Sequence, residues 1–211
     1  MKKIIVGIIS LLLLIPVCTV AKATEYVYED VPTESWYAQS VYYCAEQGLM
    51  VGETEQLFSP QGKMTRAMFI VVLYRIAGEP YVELIEDPFT DVRAGSYYEN
   101  AVKWGIQIGI VSGITPTQYG PREPITRQDA ACLLERFLTA TECHAFDGKP
   151  EAELAYLDAE YISDYAYESV MSITHKSLMR GFPDCTFRPK SNLTRAEAAV
   201  LFCKLFRAIS E

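Results

Sequence analysis

Apolar residues along the chain gather into three pairs of blocks. The first block of each pair reads "YAQSVYYCAEQGLM" (37–50), "YENAVKWGIQIGIV" (98–111) and "AYESVMSITHKSLM" (166–179). Residues such as Val41, Cys44 and Ala45, or Val102, Ile106 and Ile108, recur at helical spacing and give one buried stripe. The second blocks are more strongly apolar: "FIVVL" (69–73), "AACLLERF" (130–137) and "AAVLFCKLF" (198–206). Each follows a threonine, Thr65, Thr126 or Thr194, placed to cap a helix, and Asp129 and Glu197 complete a capping box where the first copy has Met68. Six helices are predicted, in three helix–loop–helix pairs.

The pairs are copies of one unit. Each begins at an acid, Asp30, Asp91 or Asp158, followed by an aromatic, Trp36, Tyr97 or Tyr165. The first helix is read as closing at Gly52, Gly113 or Gly181, taken as left-handed C′ residues. An aromatic (Phe58, Tyr119, Phe187) and a proline (Pro60, Pro121, Pro189) come six and eight residues later, and an arginine, Arg66, Arg127 or Arg195, follows the capping threonine. Glycine to arginine is 14 residues in every copy; acid to arginine is 36, 36 and 37. One helix pair cannot bury both its faces, so the expected fold is all-α, three helix-loop-helix repeats packed as a pseudo-threefold helical bundle. The expected limits are 24–78, 84–140 and 154–211, with 77–88 and 139–155 as connectors.

Composition narrows the setting. Lys2 and Lys3, the apolar run 4–17 and "AKA" at 21–23 form a secretory signal peptide with cleavage after Ala23, too short to span a bilayer comfortably. Pro16 and Val17 argue against lipidation at Cys18. The whole chain carries −8; removing Lys2, Lys3 and Lys22 leaves 16 basic against 27 acidic residues, or −11. Nucleic acid is therefore excluded as a partner, since phosphate binding needs a basic face. Cys44, Cys132, Cys143, Cys185 and Cys203 are an odd set in an exported protein and are read as free thiols. No Cys/His spacing suggests zinc, and no metal or cofactor is expected.

The three arginines pose the sharpest question. Each is the first residue of its helix, facing the positive end of the helix dipole, where an acid is preferred. One reading of the residues alone pairs each arginine with the aspartate of its own repeat.

The repeat resembles the S-layer homology domain over nearly all of the mature chain. "GFPDCTFRPKSNLTRAEAAVLF" in the third copy carries the family pattern best; the second keeps "FTDV", "AVKWGIQIGIVSG" and "ITRQDAA", and the first "EDVPTESWYAQSV" and "MTRAMF". The resemblance implies a bundle with grooves between repeats that hold a protein on the cell wall by binding pyruvylated secondary cell-wall polysaccharide. It maps polysaccharide-binding positions onto Arg66, Arg127 and Arg195, Asp30, Asp91 and Asp158, Trp36, Tyr97 and Tyr165, and Gly52, Gly113 and Gly181. A pyruvyl ketal presents an ionised carboxylate, for which free N–H groups at a helix start and a guanidinium make a site. Beside this, the early aromatics are read as core residues and the glycines as backbone devices. The copies differ, with Ser177 standing where the others have Gly48 and Gly109, so the grooves are expected to be unequal and those touching copy three the most conventional.

Catalysis is not expected: no nucleophile elbow, HExxH helix or phosphate loop appears, and His144 and His175 are the only histidines. The alternative is an exported protein–protein docking or assembly module built on the same bundle. Either a surface protein is carried non-covalently or the chain occupies the wall for itself, since no further domain is expected after "FRAISE".

Overall fold

A computed structural model describes residues 28–83, 88–146 and 156–210. The signal peptide, residues 84–87 of the first connector and 147–155 of the second lie outside the described residues. Six α-helices follow in order: α1 (Ala38–Glu46), α2 (Arg66–Ile76), α3 (Glu99–Gln107), α4 (Arg127–Ala140), α5 (Tyr167–His175) and α6 (Arg195–Ser210). Two short 3-10 turns, Ala159–Tyr161 and Asp164–Ala166, lead into α5, and no strand occurs among the described residues.

The even-numbered helices carry the predicted threonine caps, but of the two predicted capping boxes Glu197 closes one, while Asp129 instead accepts from the Thr126 hydroxyl at 2.5 Å. Thr65, Thr126 and Thr194 each accept from the N–H three residues on, all at 3.2 Å, and Glu197 also accepts from the Thr194 N–H at 3.0 Å. The odd-numbered helices have nine residues each and no side-chain N-cap, so tertiary packing has to hold them. Each packs on the second helix of the preceding repeat: α3 on α2, α5 on α4, and α1 on α6, which closes the ring. The contacts are specific. Tyr74 and Trp104 rings lie 5.4 Å apart, Ser172 donates to Glu135 at 2.9 Å, and the Cys44 thiol donates to the Ala199 carbonyl at 3.4 Å. All five described cysteines are free thiols, and burial, then Cys203, pushes the Cys44 thiol up to about 12.

A hub of backbone hydrogen bonds joins the repeats at the centre. The Met64 N–H donates to Leu193 O (2.8 Å), Leu193 to Ile125 O (3.0 Å) and Ile125 to Met64 O (2.9 Å), a closed cycle of three buried residues. They are the residues just before the capping threonines, so the hub sets where α2, α4 and α6 begin.

The helix-closing residues differ from expectation. Left-handed C′ positions fall at Gly48 (φ 68°), Gly109 (φ 77°) and Ser177 (φ 58°), four residues before the glycines assigned that role. The next N–H in each case returns to the helix, Leu49 to Cys44 O, Ile110 to Gly105 O and Leu178 to Ile173 O, which is the Schellman closure. Ser177 adopts a conformation that disfavours a Cβ. Ser177→Gly is expected to stabilise the protein by about 0.5–1 kcal/mol, raising the melting temperature by about 2 °C in a calorimetric scan; a lower melting temperature would contradict the assignment.

Candidate functional site

Each aspartate holds the loop of its own repeat. Asp30 accepts from the Phe58 and Ser59 N–H groups (2.8 and 2.7 Å), Asp91 from Tyr119 and Gly120 (2.8 and 2.9 Å), and Asp158 from Phe187 and Arg188 (2.8 and 2.7 Å). Ser59, Gly120 and Arg188 have positive φ, which turns two successive N–H groups into a concave anion seat.

The arginines do not pair with these aspartates. Each crosses to the next repeat and donates through Nε and Nη2 to two loop carbonyls. Arg66 reaches Tyr119 O (2.9 Å) and Ser112 O (2.6 Å); Arg127 reaches Phe187 O (2.8 Å) and Arg180 O (3.0 Å); Arg195 reaches Phe58 O (2.8 Å) and Val51 O (2.7 Å). Each guanidinium also lies over the ring of that loop aromatic, 4.5–4.9 Å from its centroid. One loop peptide is thus held at both ends, by its own aspartate at N–H and by a neighbour's arginine at C=O. Burial pulls Arg127 and Arg195 below the usual arginine range, with Glu197 and Glu53 respectively pushing back.

The helix-start N–H groups are engaged as well. The first two of α2 donate to Glu123 O and Pro121 O, those of α4 to Ser191 O and Pro189 O, and those of α6 to Gly62 O and Pro60 O, all at 2.9–3.1 Å. With the third N–H on the capping threonine, the backbone donors expected to await an external carboxylate are satisfied by protein oxygens. Those carbonyls also supply the partial negative charge that the helix start prefers, which explains why an arginine is tolerated there.

The early aromatics are not core residues. Trp36 is 67% exposed, Tyr97 66% and Tyr165 63%. The ring arrangement explains it: each precedes a first helix that packs on another repeat, so it stands at the seam rather than within its own unit. Tyr97 and Trp36 each help line an open cavity. One, of about 330 Å³, is floored by α2 and bounded by 49–53, with Arg195, Arg75 and Tyr97 around it. The other, of about 240 Å³, is floored by α6 and bounded by 178–182, with Arg127, Lys204 and Trp36. Both cavities therefore draw on all three repeats: helix and loop from one, aromatic from the next, arginine from the third.

The grooves are unequal, and touching copy three does not distinguish them, because all three do. Around α4, Tyr165 donates to Asp129 (2.7 Å), accepts from Gln128 (2.5 Å), and Arg136 donates to the Ser112 hydroxyl (2.9 Å), so side chains bridge that groove. Burial, then Asp129, pushes the Tyr165 phenol up to about 12. In the α6 groove Glu197 lies 3.6 Å from Arg127 Nη1. The α2 groove has Met68 at that position, leaving Arg195 and Arg75 with Glu53 as the acid of the lining.

The S-layer homology domain model matches residues 27–68, 88–131 and 155–199. The chain belongs to the S-layer homology domain family. An endoglucanase from Bacillus sp. (strain KSM-635) is 31% identical over 185 residues, covering 88% of this chain and 19% of that protein. The S-layer protein sap of Bacillus anthracis is 25% identical over 205 residues, 96% of this chain and 24% of its own length. A cellulosome-anchoring protein of Acetivibrio thermocellus is 23% identical over 186 residues, 87% and 39%. The chain spans between 19% and 39% of these relatives.

Within the S-layer homology repeat, the structure separates the residues mapped onto the site. The arginines and exposed aromatics meet at the grooves, while the aspartates lie behind the loops and bond to backbone. Gly52, Gly113 and Gly181 lie in the loops beneath, where an added Cβ would come within 2.3–2.4 Å of another atom, so they are there for close packing. Arg75, Arg136 and Lys204 are not singled out by the sequence motifs. Each stands nine residues after a Thr-Arg arginine and donates to a carbonyl of its own repeat, at Leu49, Ile110 and Ser177 respectively. The signal was present as a cation recurring at one position of all three copies, hidden on an ordinary helix face.

Proposed function

We propose that the chain is a non-catalytic anchoring module, exported by residues 1–23, that sits at the cell surface bound to an anionic, pyruvylated secondary cell-wall polysaccharide. Family membership and the S-layer and cellulosome-anchoring relatives support the surface-anchoring part of this reading. One observation supports the ligand class. In an acidic chain, two open grooves each set an exposed aromatic ring near a buried guanidinium and a second cation.

The division of labour follows from the hydrogen bonds. Nε and Nη2 of each Thr-Arg arginine are spent on loop carbonyls, so the arginine shapes the groove and contributes field, with Nη1 left over but facing Glu197 in the case of Arg127. Arg75 and Lys204 supply charge at the outer wall, and Trp36 or Tyr97 offers an apolar face to a sugar ring. The α2 groove, with Met68 in place of an acid, is the one best suited to a carboxylate. The aspartates act at one remove by fixing the loops.

Co-sedimentation with purified wall sacculi tests the reading. Residues 24–211 are expected to pellet with pyruvylated walls and to stay in solution with walls lacking pyruvylation or stripped of secondary polysaccharide. Equal pelleting with all three removes the ketal as ligand, and no pelleting with any turns the case to docking on a protein partner.

A further inference from the structure

Tyr97 has cavities on both sides. Beyond the α2 groove lies a second cavity of about 540 Å³, lined by Thr65 and Met68 of repeat 1 and by Arg93, Ser96, Tyr98 and Arg122 of repeat 2. Tyr97 and Met68 border both cavities. Each volume alone is within the range of about 300–1,000 Å³ typical of small-ligand sites.

We infer that the site around α2 takes two consecutive anionic sugars, one on either side of Tyr97, with Arg93 and Arg122 receiving the second charge. The inference rests on the polysaccharide reading above and extends it. Arg93 and Arg122 are exposed, and their guanidiniums have no partner among the described residues. Two arginines on one cavity with no partner among the described residues are unusual in a chain of net charge −8. Ser96 is part of the same wall, with its hydroxyl buried and without a hydrogen-bond partner among the described residues. Tyr97 belongs to both walls and is braced by the Tyr98 ring, which lies at 86° to it with centroids 5.1 Å apart. An exposed, braced ring of this kind offers apolar surface to the sugars in both cavities.

The repeats themselves provide the internal control. The positions of Arg93 and Arg122 are Pro32 and Gln61 in repeat 1, and Glu160 and Lys190 in repeat 3. Only repeat 2 places two arginines there. The second subsite therefore belongs to the α2 groove alone, and it makes that groove selective for a run of charged sugars over a single charged chain end.

Calorimetric titration with two synthetic disaccharides tests this. Both have the same amino-sugar backbone; one bears a pyruvyl ketal on one residue, the other on both. The wild-type protein is expected to bind the double ketal about tenfold more tightly than the single. Arg93→Gln/Arg122→Gln should erase that preference while leaving the single-ketal affinity within about twofold, and its melting temperature should match the wild type, since neither exposed side chain has a partner among the described residues to lose. Equal wild-type affinity for both disaccharides, or a preference that survives the double substitution, overturns the second subsite while the polysaccharide reading stands. Failure of both disaccharides to bind overturns the polysaccharide reading and the subsite with it.

Discussion

Arg127→Lys should cost about 3 kcal/mol of folding stability, a drop of about 6–12 °C in melting temperature. Arg127 is 5% exposed, and its guanidinium satisfies Phe187 O and Arg180 O while lying between the Phe182 and Phe187 rings. A lysine keeps the charge but cannot reproduce two donors in a fixed fork, so it leaves a buried carbonyl unpaired and an ammonium poorly solvated. Arg66→Lys, at a half-buried site, should cost about 1 kcal/mol. Urea unfolding followed by the buried Trp104 fluorescence checks both, and equal stability of Arg127→Lys and wild type would remove the arginine from the framework. The consequence for binding work is direct. Lost wall binding in a Thr-Arg variant does not by itself report a ligand contact, because the groove is built on that arginine.

Gly113→Ala should be as severe, at about 3 kcal/mol or more. A Cβ there would lie 2.3 Å from Thr115 O, 2.5 Å from Gln118 O and 2.5 Å from Phe89 Cε1. Two of these atoms are backbone in a turn tied by Ile114 N–H to Gln118 O at 2.8 Å, and cannot retreat without breaking it. Gly109→Ala is the contrast. Its φ is 77°, yet nothing lies within 4 Å of the added Cβ, so only backbone strain of about 1 kcal/mol is expected. Thermal unfolding of the two variants separates lack of space from lack of conformational freedom. A Gly113→Ala protein no less stable than Gly109→Ala would contradict the packing assignment.

The repeat was legible because its evidence is local: capping threonines, helical stripes and equal spacings are all written within one copy. What was not legible depends on which copy meets which. Arg66 finds its carbonyls 46 and 53 residues away in the next repeat, a distance at which sequence offers the arginine's own Asp30 as an equally good partner. Size alone argues for Trp36 in the core, and only the packing of α1 on α6 puts it at a seam. The glycine misassignment has a narrower cause. Copies one and two each carry two glycines four residues apart, one needed for φ and one for space, and in copy three Ser177 conceals the first.

The most direct test of the groove assignment is a Trp36→Ala/Tyr97→Ala double variant, assayed for wall co-sedimentation and melting temperature together. Both rings are about two-thirds exposed, so the variant should melt within about 2 °C of wild type. Binding to pyruvylated walls should fall at least about tenfold, as both open grooves lose their sugar-facing ring. Undiminished binding by a folded double variant would show that the wall polymer is held somewhere other than the two open grooves, contradicting the assignment.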